Sequence, residues 1–360
     1  MVRLDKGETR ASKMRCLVIV VACFVMLGEL SQAAVSDRNH AEWTAYKLKH
    51  GKIYASQAED ASRMANFLAT KERVDRHNAQ SGNTYVMALN HLADWSSEER
   101  AKLKGLRLNP NDLEISEAQQ AQSEAYLARI LGNSTEPIPD ELDWRQVPGR
   151  VSPVGDQGNC GSCWPFSAIG VLEGQQVPRN ITNSTVIPLS IQELVDCSLH
   201  NLGCGGGWPL NALYDAGILG GIESDKDYPY KYGAGTKPWC KFDAKKVVMK
   251  GFGGLMLPKH DEDKLKEVVA TYGPVSVGFV ATDNLESYHS GVFDDYDCGH
   301  ATGMNHAMLI VGYGTDENYD DYWIVKNSWG KSFGEKGYVK VRRGSNMCAI
   351  AMLPLIAEFN

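Results

Sequence analysis

The sequence predicts an α+β fold in which a helical subdomain and a strand-rich subdomain face each other across a cleft, preceded by a small helical domain. Residues 34–107 lack cysteine and space their apolar residues as amphipathic helices do. After Ile138, glycine, tryptophan and cysteine become frequent. Two helix-like stretches, Ser162–Val177 and Ser190–Cys197, come first in this part, and runs rich in valine, isoleucine and tyrosine follow.

Residues 1–33 have the pattern of a secretory signal peptide. Basic residues precede the apolar run 16–27, which is shorter than the roughly 20 residues of a membrane-spanning helix. The small residues Ser31 and Ala33 are suitably placed for cleavage before Ala34. An uncleaved signal anchor is the alternative interpretation. No other run is long and apolar enough to cross a bilayer, so no stable membrane anchor is expected elsewhere.

Residues 108–137 are predicted to be a linker. They combine Asn-Pro-Asn, a stretch rich in Glu, Gln and Ala, and Glu-Pro-Ile-Pro, with at most one weak helix at Ile115–Leu131. In the whole chain, 43% of residues are hydrophobic, which is enough for a sizeable core and argues against disorder. The net charge is −7 and no Lys/Arg-rich run occurs, so nucleic-acid binding is not expected.

Further regular elements are predicted toward the C-terminus. Glycines separate the stretches that have strand composition, and one helical stretch precedes them. The predicted helix is Lys264–Thr271, and the predicted strands are Val275–Phe279, Ala307–Tyr313, Tyr322–Lys326 and Gly337–Arg342.

The cysteine count predicts one thiol without a disulfide partner. Two of the nine cysteines lie in the signal segment, and an oxidising compartment would pair six of the remaining seven. The odd thiol is either an intermolecular partner or a reactive group. Three glycosylation sequons, at Asn133, Asn180 and Asn183, are consistent with the secretory route.

The unit Cys160-Gly-Ser-Cys163 admits four interpretations. Half of a zinc site would need a second Cys-x-x-Cys or paired histidines at finger spacing, which are absent from the sequence. A thioredoxin-like redox pair would need a preceding βαβ pattern. The other two are a pair of structural cysteines, and one structural cysteine beside a nucleophile. If the apolar stretch Phe166–Leu172 is a helix, its unpaired N–H groups and dipole would favour a thiolate at Cys163.

Three motifs resemble the active-site motifs of the papain family of cysteine proteases. Gln-Gly-Asn-Cys-Gly-Ser-Cys-Trp contains the family signature around Cys163, Asn-His-Ala is similar to its histidine motif, and Asn-Ser-Trp-Gly to its asparagine motif. His306 follows Cys163 by 143 residues, within the roughly 130–150 typical of the family, whereas Asn327 follows by 164. The resemblance covers residues 138–360. It implies a papain-like two-subdomain fold with a helical and a β-barrel-like half.

The resemblance implies a cysteine endopeptidase that acts through a thiolate–imidazolium pair and a covalent acyl-enzyme. Cys163 would be the nucleophile and His306 its base, with the His306 ring oriented by Asn327. Gln157 and the backbone N–H of Cys163 would form the oxyanion hole. Trp329 would shield the hydrogen bond between His306 and Asn327 from water. No metal or cofactor is implied.

One position departs from the family pattern. Pro165 replaces the alanine that usually follows Cys-Trp. Since first-turn N–H groups have no intrahelical partner, we expect the proline to be tolerated.

Disulfides and substrate contacts are also implied by the resemblance. The pocket positions are apolar, so the pocket should take Leu, Phe or Val at the substrate position P2 and reject Arg. The implied substrate-binding residues are Gly206, Gly207, Trp208, Pro209, Gly278, Met304, Trp329 and Leu353. The implied disulfides are Cys160–Cys204, Cys197–Cys240 and Cys298–Cys348.

Residues 34–107 resemble the inhibitory propeptides of cathepsin L-like enzymes. Thr70 and Val74 depart from the usual Asn and Ile of the long-helix motif, and a second motif ends at Asp94 with two departures, Ala88 and Leu92. An ordinary amphipathic helix is the alternative interpretation. The long-helix positions are Glu59, Arg63, Phe67, Thr70, Val74 and Asn78.

The chain is therefore expected to be a zymogen with its own propeptide as intramolecular inhibitor, a maturation region at 108–137 and a peptidase domain at 138–360. Propeptide carboxylates such as Glu59, Glu72 and Asp75 are expected to lose their partners in acid and so to trigger activation.

Two other functional classes compete with this interpretation. A catalytically silent papain-like binding or storage protein would lack the cysteine or the histidine, and both are present. A redox protein would join Cys160 to Cys163. We expect a monomer that acts on protein or peptide substrates, in the lysosome or outside the cell.

Overall fold

The computed structural model describes residues 35–108, 114, 116–132, 137–231, 239–299, 303–318 and 320–359. The signal segment and the sequon residue Asn133 lie outside the described residues. The chain divides into two compact units, Met1–Ala69 and Thr70–Asn360. Among the described residues, no helix is both long and apolar enough to cross a membrane.

The first unit is built from helix α1 (35–50) and the beginning of helix α2 (Gln57–Asn78). Trp43 and Phe67 are buried, and their ring centroids lie 5.4 Å apart. The Asp60 carboxylate accepts hydrogen bonds from the Trp43 indole N–H at 3.2 Å and from Lys47 at 2.6 Å. Aromatic packing and the two hydrogen bonds to Asp60 together hold the two helices against each other.

The second unit contains the rest of the chain. Its helices after α2 are α3 (Ser97–Leu103), α4 (Glu117–Leu131), α5 (Cys163–Glu173), α6 (Ile191–Cys197), α7 (Pro209–Leu219), α8 (Glu262–Thr271), α9 (Asp283–Glu286) and α10 (Tyr296–Gly299). Its strands are β1 (Tyr85–Met87), β2 (Leu142–Asp143), β3 (Ile222–Glu223), β4 (Val247–Met249), β5 (Phe252–Met256), β6 (Val275–Phe279), β7 (Tyr288–Phe293), β8 (His306–Thr315), β9 (Asp321–Lys326), β10 (Tyr338–Arg342) and β11 (Leu355–Phe359).

Helices α5, α6 and α7 precede most of the strands, and the main sheet is almost wholly antiparallel, which confirms the predicted α+β class. Within the described residues, nine strands form one sheet in the order β1-β7-β10-β9-β8-β6-β11-β5, with β2 paired to β8. All its pairings are antiparallel except β10 with β7. Helix α5 contacts α6 and α7 as well as β6 and β8, so it lies where the helical part meets the sheet.

The boundary between the two units does not coincide with the predicted end of the helical domain at residue 107. Strand β1 pairs antiparallel with β7, with Tyr85 opposite Gly291. The Asn78 side chain donates to the Met87 carbonyl at 2.8 Å and ties the end of α2 to the same strand. Residues 70–107 therefore pack with the C-terminal part of the chain.

The weak helix predicted at Ile115–Leu131 within the linker is present as α4, Glu117–Leu131. Helix α4 begins with a capping box in which the Ser116 and Gln119 side chains each pair with the other's backbone. Tyr126 and Leu127 are buried. The Ser123 hydroxyl donates to the Met256 carbonyl at 2.7 Å. Helix α4 is thus anchored on the sheet edge formed by β5 and β11.

Candidate active site

Cys163 is the first residue of α5 and is completely buried. The preceding residue, Ser162, makes no side-chain capping bond, so the helix N-terminus directs its N–H groups toward the sulfur's surroundings without a competing cap. The Cys160–Cys204 disulfide joins the turn before α5 to the loop that leads to Trp208. The helix runs through Pro165 in its first turn, as expected for a residue that needs no intrahelical N–H partner.

His306 and Asn327 are brought together by neighbouring strands. His306 is the first residue of β8, Asn327 directly follows β9, and the two strands pair antiparallel. The His306 Nε2 and Asn327 Oδ1 atoms lie 2.8 Å apart. The Trp329 ring packs over the imidazole with centroids 4.8 Å apart and is itself buried. Because Asn327 holds Nε2, Nδ1 is the ring nitrogen left to exchange a proton with a thiol, and the Leu103 backbone reaches the ring while the site is covered.

The Gln157 side chain is held next to the Cys163 loop with its amide N–H₂ as a donor. Its Oε1 accepts from the Ser328 hydroxyl at 2.6 Å, which fixes the amide orientation. Its Nε2 donates to the Cys160 carbonyl at 2.8 Å and to the Leu103 carbonyl at 3.0 Å. A backbone carbonyl from before residue 108 therefore occupies the position that an oxyanion hole would offer to a substrate carbonyl.

Residues 103–108 run through the site. Gly105 comes so close that a Cβ placed on it would lie 2.1 Å from the Gly161 carbonyl oxygen. The Gly207 N–H donates to the Gly105 carbonyl at 2.9 Å, and the Arg107 N–H donates to the Gly207 carbonyl at 2.9 Å. These two bonds straddle Leu106, which makes a parallel bridge to Gly207. If the segment ran antiparallel to residue 207, a single residue opposite Gly207 would make both of these hydrogen bonds.

An apolar pocket receives the Leu106 side chain. Leu106 is buried in a cluster with Trp208, Leu353 and Met256. Gly278 leaves the room for it, because a Cβ there would lie 2.6 Å from Met304 Sδ and 3.6 Å from Leu106 Cδ2. The described part of the chain thus brings five of the implied substrate-binding residues to this side of the site: Gly207, Trp208, Gly278, Met304 and Leu353.

The other implied substrate-binding residues have related but distinct positions. Gly206 adopts φ +111°, and a Cβ there would lie 2.6 Å from the Gly105 carbonyl oxygen, so only glycine lets the segment pass. Pro209 is buried and begins α7, at the N1 position that proline favours. Trp329 lies on the other side, against His306.

Burial disfavours the charged forms of the two candidate reacting groups. Loss of water raises the pKa of the Cys163 thiol to about 11. Burial likewise lowers the pKa of His306 to about 4; the hydrogen bonds to Asn327 and to the Leu103 backbone oppose that shift, and the Lys104 ammonium adds to it. Both shifts disfavour a thiolate–imidazolium pair while residues 103–107 cover the site.

Several residues that support the site were not predicted from the sequence. Ser328 orients Gln157. Asn201 Oδ1 accepts the Trp208 N–H at 2.7 Å and so holds the pocket loop. The Tyr230 hydroxyl donates to the Gln157 carbonyl at 3.0 Å. Ser328 stands inside the Asn-Ser-Trp motif and could have been suspected, whereas Asn201 and Tyr230 lie in no motif.

The described cysteines form three disulfides with the pairing that the resemblance implies: Cys160–Cys204, Cys197–Cys240 and Cys298–Cys348. Among the described cysteines, Cys163 alone is free. Of the sequon residues, Asn180 and Asn183 are exposed. No group of three or more His, Cys, Asp or Glu in the described ranges is arranged to hold a metal ion.

A buried cysteine at a helix N-terminus, beside a histidine held by an asparagine, defines a cysteine protease site of the papain type. Residues 138–357 match the papain family cysteine protease domain, and residues 43–99 match the cathepsin propeptide inhibitor domain. The chain therefore belongs to the papain family. It is a cathepsin L-like cysteine protease in its zymogen form.

Relatives and solved structures extend along nearly the whole chain. Cathepsin L of Sarcophaga peregrina is 36% identical over 340 residues, which cover 92% of this chain and 97% of that protein. Cathepsin S of Mus musculus is 37% identical, with 92% and 93% covered. The structure of digestive procathepsin L2 proteinase from Tenebrio molitor larval midgut has a TM-score of 0.78 at 35% identity and covers 89% of this chain and all of that one.

Proposed function

We propose that the mature enzyme is an endopeptidase in which Cys163, His306, Asn327 and Gln157 carry out peptide-bond hydrolysis. The observation that carries this proposal is the arrangement near Cys163: Asn327 holds one ring nitrogen of His306, which leaves the other ring nitrogen for a thiol once residues 103–107 are removed. Removal of residues 103–107 exposes the site to water and dissolved ions, which stabilise charged groups. This favours transfer of the Cys163 proton to His306.

The chemistry follows from these positions. The Cys163 thiolate attacks the scissile carbonyl, and the resulting oxyanion lies between Gln157 Nε2 and the Cys163 N–H. His306 gives its proton to the leaving amine, so the C–N bond breaks and a thioester remains. A water molecule, deprotonated by His306, then hydrolyses the thioester and regenerates the thiol. Asn327 keeps the imidazole in place throughout without adding a charge.

Latency of the precursor is explained by how the segment 103–108 lies. The Leu103 carbonyl accepts the hydrogen bond that Gln157 Nε2 would donate to a substrate. Leu106 pairs with Gly207 in the parallel direction. A substrate that makes both hydrogen bonds to Gly207 from one residue would run antiparallel to it, which is the opposite direction. The segment therefore fills the cleft in a direction unlike that of a substrate and inhibits the enzyme of which it is part.

We propose that His306 makes docking of a Cys163→Ala precursor sensitive to acid. Burial by residues 103–107 lowers the pKa of His306. In the unmodified enzyme, uncovering transfers the Cys163 proton to His306 and takes up no proton from water. Without Cys163, an uncovered imidazole binds a proton near pH 6.5 that the covered one does not bind, so the docked state loses stability as pH falls below 6.5.

The propeptide carboxylates have a smaller part in this proposal than the sequence indicated. Glu59, Glu72 and Asp75 pair with Arg63, Arg76 and Lys71, each four residues away on α2. Such exposed intrahelical pairs contribute about 0.3–0.5 kcal/mol each. Loss of these pairs would loosen the helix surface and would not by itself release the cleft.

We place the first maturation cut between Leu108 and Ser116. A protease binds its substrate as an extended strand, and α4 would have to unwind and lose its anchoring to β5 and β11 before it could be cut. The sequence predicted a maturation region at 108–137, and this proposal places the first cut in its beginning.

Substrate preference and location follow from the same features. The pocket that holds Leu106 is apolar, so P2 should be Leu, Phe or Val. The signal-like N-terminus, three disulfides and exposed sequons support an enzyme of the secretory route that acts in the lysosome or outside the cell, and we propose that it is a monomer.

The decisive experiment compares the precursor with its Cys163→Ala variant at pH 4.5 and pH 7. The unmodified precursor should shorten and cleave a peptide with Leu at P2 only in acid, whereas the variant should stay intact and folded. A thiol-directed epoxide should label Cys163 in the mature enzyme. Labelling of Cys160 instead, or turnover by the variant, would refute the assignment.

A further inference from the structure

Glu286 lies at the C-terminal end of α9 and is among the most deeply buried carboxylates of the molecule, with a side chain 1% exposed. Two cations of the propeptide reach it. Arg100 Nε lies 3.0 Å from one carboxylate oxygen, and Lys104 Nζ lies 2.9 Å from the other. The Asn90 amide donates to the Glu286 backbone carbonyl at 2.7 Å. The carboxylate is thus covered by residues that leave when the propeptide leaves.

The position of Lys104 in the cleft identifies where Glu286 lies. The next residue, Gly105, passes over the Cys163 loop, and Leu106 enters the apolar pocket beyond it. The preceding residue, Leu103, contacts Gln157. Lys104 is therefore on the opposite side of Cys163 from the apolar pocket.

That side must receive the leaving half of a substrate. The apolar pocket takes P2, which belongs to the acyl half that stays on Cys163, so the half that departs with the amine extends the other way. The first side chain on that side is P1′. Once the propeptide is gone, the Glu286 carboxylate faces this place without Arg100 or Lys104, and a carboxylate in a partly buried site favours a cation.

We propose that Glu286 makes the first leaving-group subsite acidic, so that the mature enzyme prefers peptides with Lys or Arg at P1′. In the precursor the basic side chain of Lys104, which belongs to the same polypeptide, occupies this subsite in place of a substrate side chain. Asp283, on the same helix, lies 3.4 Å from Lys104 but its side chain is 57% exposed, so it adds a weaker, solvent-screened attraction. The inference rests on the proposed endopeptidase function and specifies its substrate class.

The test uses internally quenched peptides that share Leu at P2 and differ only in Lys, Leu or Glu at P1′. The mature enzyme at pH 6 should give kcat/KM values for Lys above Leu by roughly tenfold and for Leu above Glu. Glu286→Gln should bring the Lys-to-Leu ratio near one, and Glu286→Lys should reverse the order so that Glu is preferred. Asp283→Asn, which removes the same charge from the same helix, should leave most of the ratio.

The outcomes separate this inference from the function on which it rests. A Lys-to-Leu ratio of one in the unmodified enzyme, or a preference that survives Glu286→Gln, would overturn the acidic subsite and leave the endopeptidase assignment intact. The unmodified series needs no variant, so a folding failure of Glu286→Gln does not prevent this decision. Failure to cleave any peptide of the series would overturn both.

Discussion

At Gly105 the propeptide lies against the peptidase backbone, and replacement of this glycine by alanine should open the precursor. The added methyl carbon would lie 2.1 Å from the Gly161 carbonyl oxygen and 2.4 Å from its carbonyl carbon. Both are backbone atoms next to the start of α5, so neither can rotate away. Residues 103–106 must move outward instead.

The magnitude follows from the bonds that such a movement breaks. Gly207 donates to Gly105, Leu106 donates to the Asn305 carbonyl at 2.9 Å, and Gln157 donates to Leu103 at 3.0 Å. Each such bond contributes about 1 kcal/mol, and together they give about 3 kcal/mol. The open fraction of the precursor should therefore rise roughly 100-fold.

Alkylation of Cys163 by an uncharged thiol-directed epoxide at pH 7 measures this opening directly, since only an uncovered thiol reacts. Gly105→Ala precursor should react roughly 100-fold faster than unmodified precursor and should hydrolyse a peptide with Leu at P2 without acid. Gly253→Ala is the matched control, because a Cβ at Gly253 meets nothing within 4 Å. If Gly105→Ala precursor reacts no faster than this control, the close approach does not maintain latency.

Two more predictions concern the pocket and the response to pH. Leu353→Glu should raise kcat/KM for peptides with Arg at P2 and lower it for Leu, because the pocket that holds Leu106 would gain a partner for guanidinium; an unchanged Arg-to-Leu ratio would contradict the pocket assignment. Trimming of Cys163→Ala precursor by a trace of mature enzyme, normalised to an unstructured peptide, should accelerate as pH falls from 6.5 to 4, since His306 is held neutral while covered. The double variant that also carries His306→Ala should lose most of that dependence, and a full acid response in it would remove His306 as the sensor.

The local motifs of this chain were readable from sequence because their chemistry is local. A cysteine at a helix start and a histidine and an asparagine at strand ends are each marked by their neighbours, and the strand prediction Val275–Phe279 matches β6. Helix α6 differs from its prediction only in that Ser190 is the N-cap, whose hydroxyl accepts from Glu193. Such caps and alternations are properties of a few adjacent residues.

Features of the structure that depend on long-range contacts could not be predicted from the sequence. Helix α4 has little apolar surface of its own, and its order comes from strands more than a hundred residues away, such as the Ser123–Met256 bond. Glu286 belongs to no motif, and its partners Arg100 and Lys104 precede it by more than 180 residues. The raised pKa of Cys163 depends on burial, to which residues 103–107 contribute, and no spacing between motifs could predict that burial.

Helix α4 also has a consequence for the thermodynamics of inhibition after the first cut. Seven residues, 109–115, separate Leu108 from the Ser116 cap, and α4 is fixed to the body that the segment inhibits. A tether this short corresponds to an effective inhibitor concentration in the millimolar range. Hydrolysis of one peptide bond within those residues leaves every docking contact in place. The effective concentration of the inhibitor then falls to the concentration of free propeptide in the surrounding compartment. Dilution alone would then favour the active enzyme.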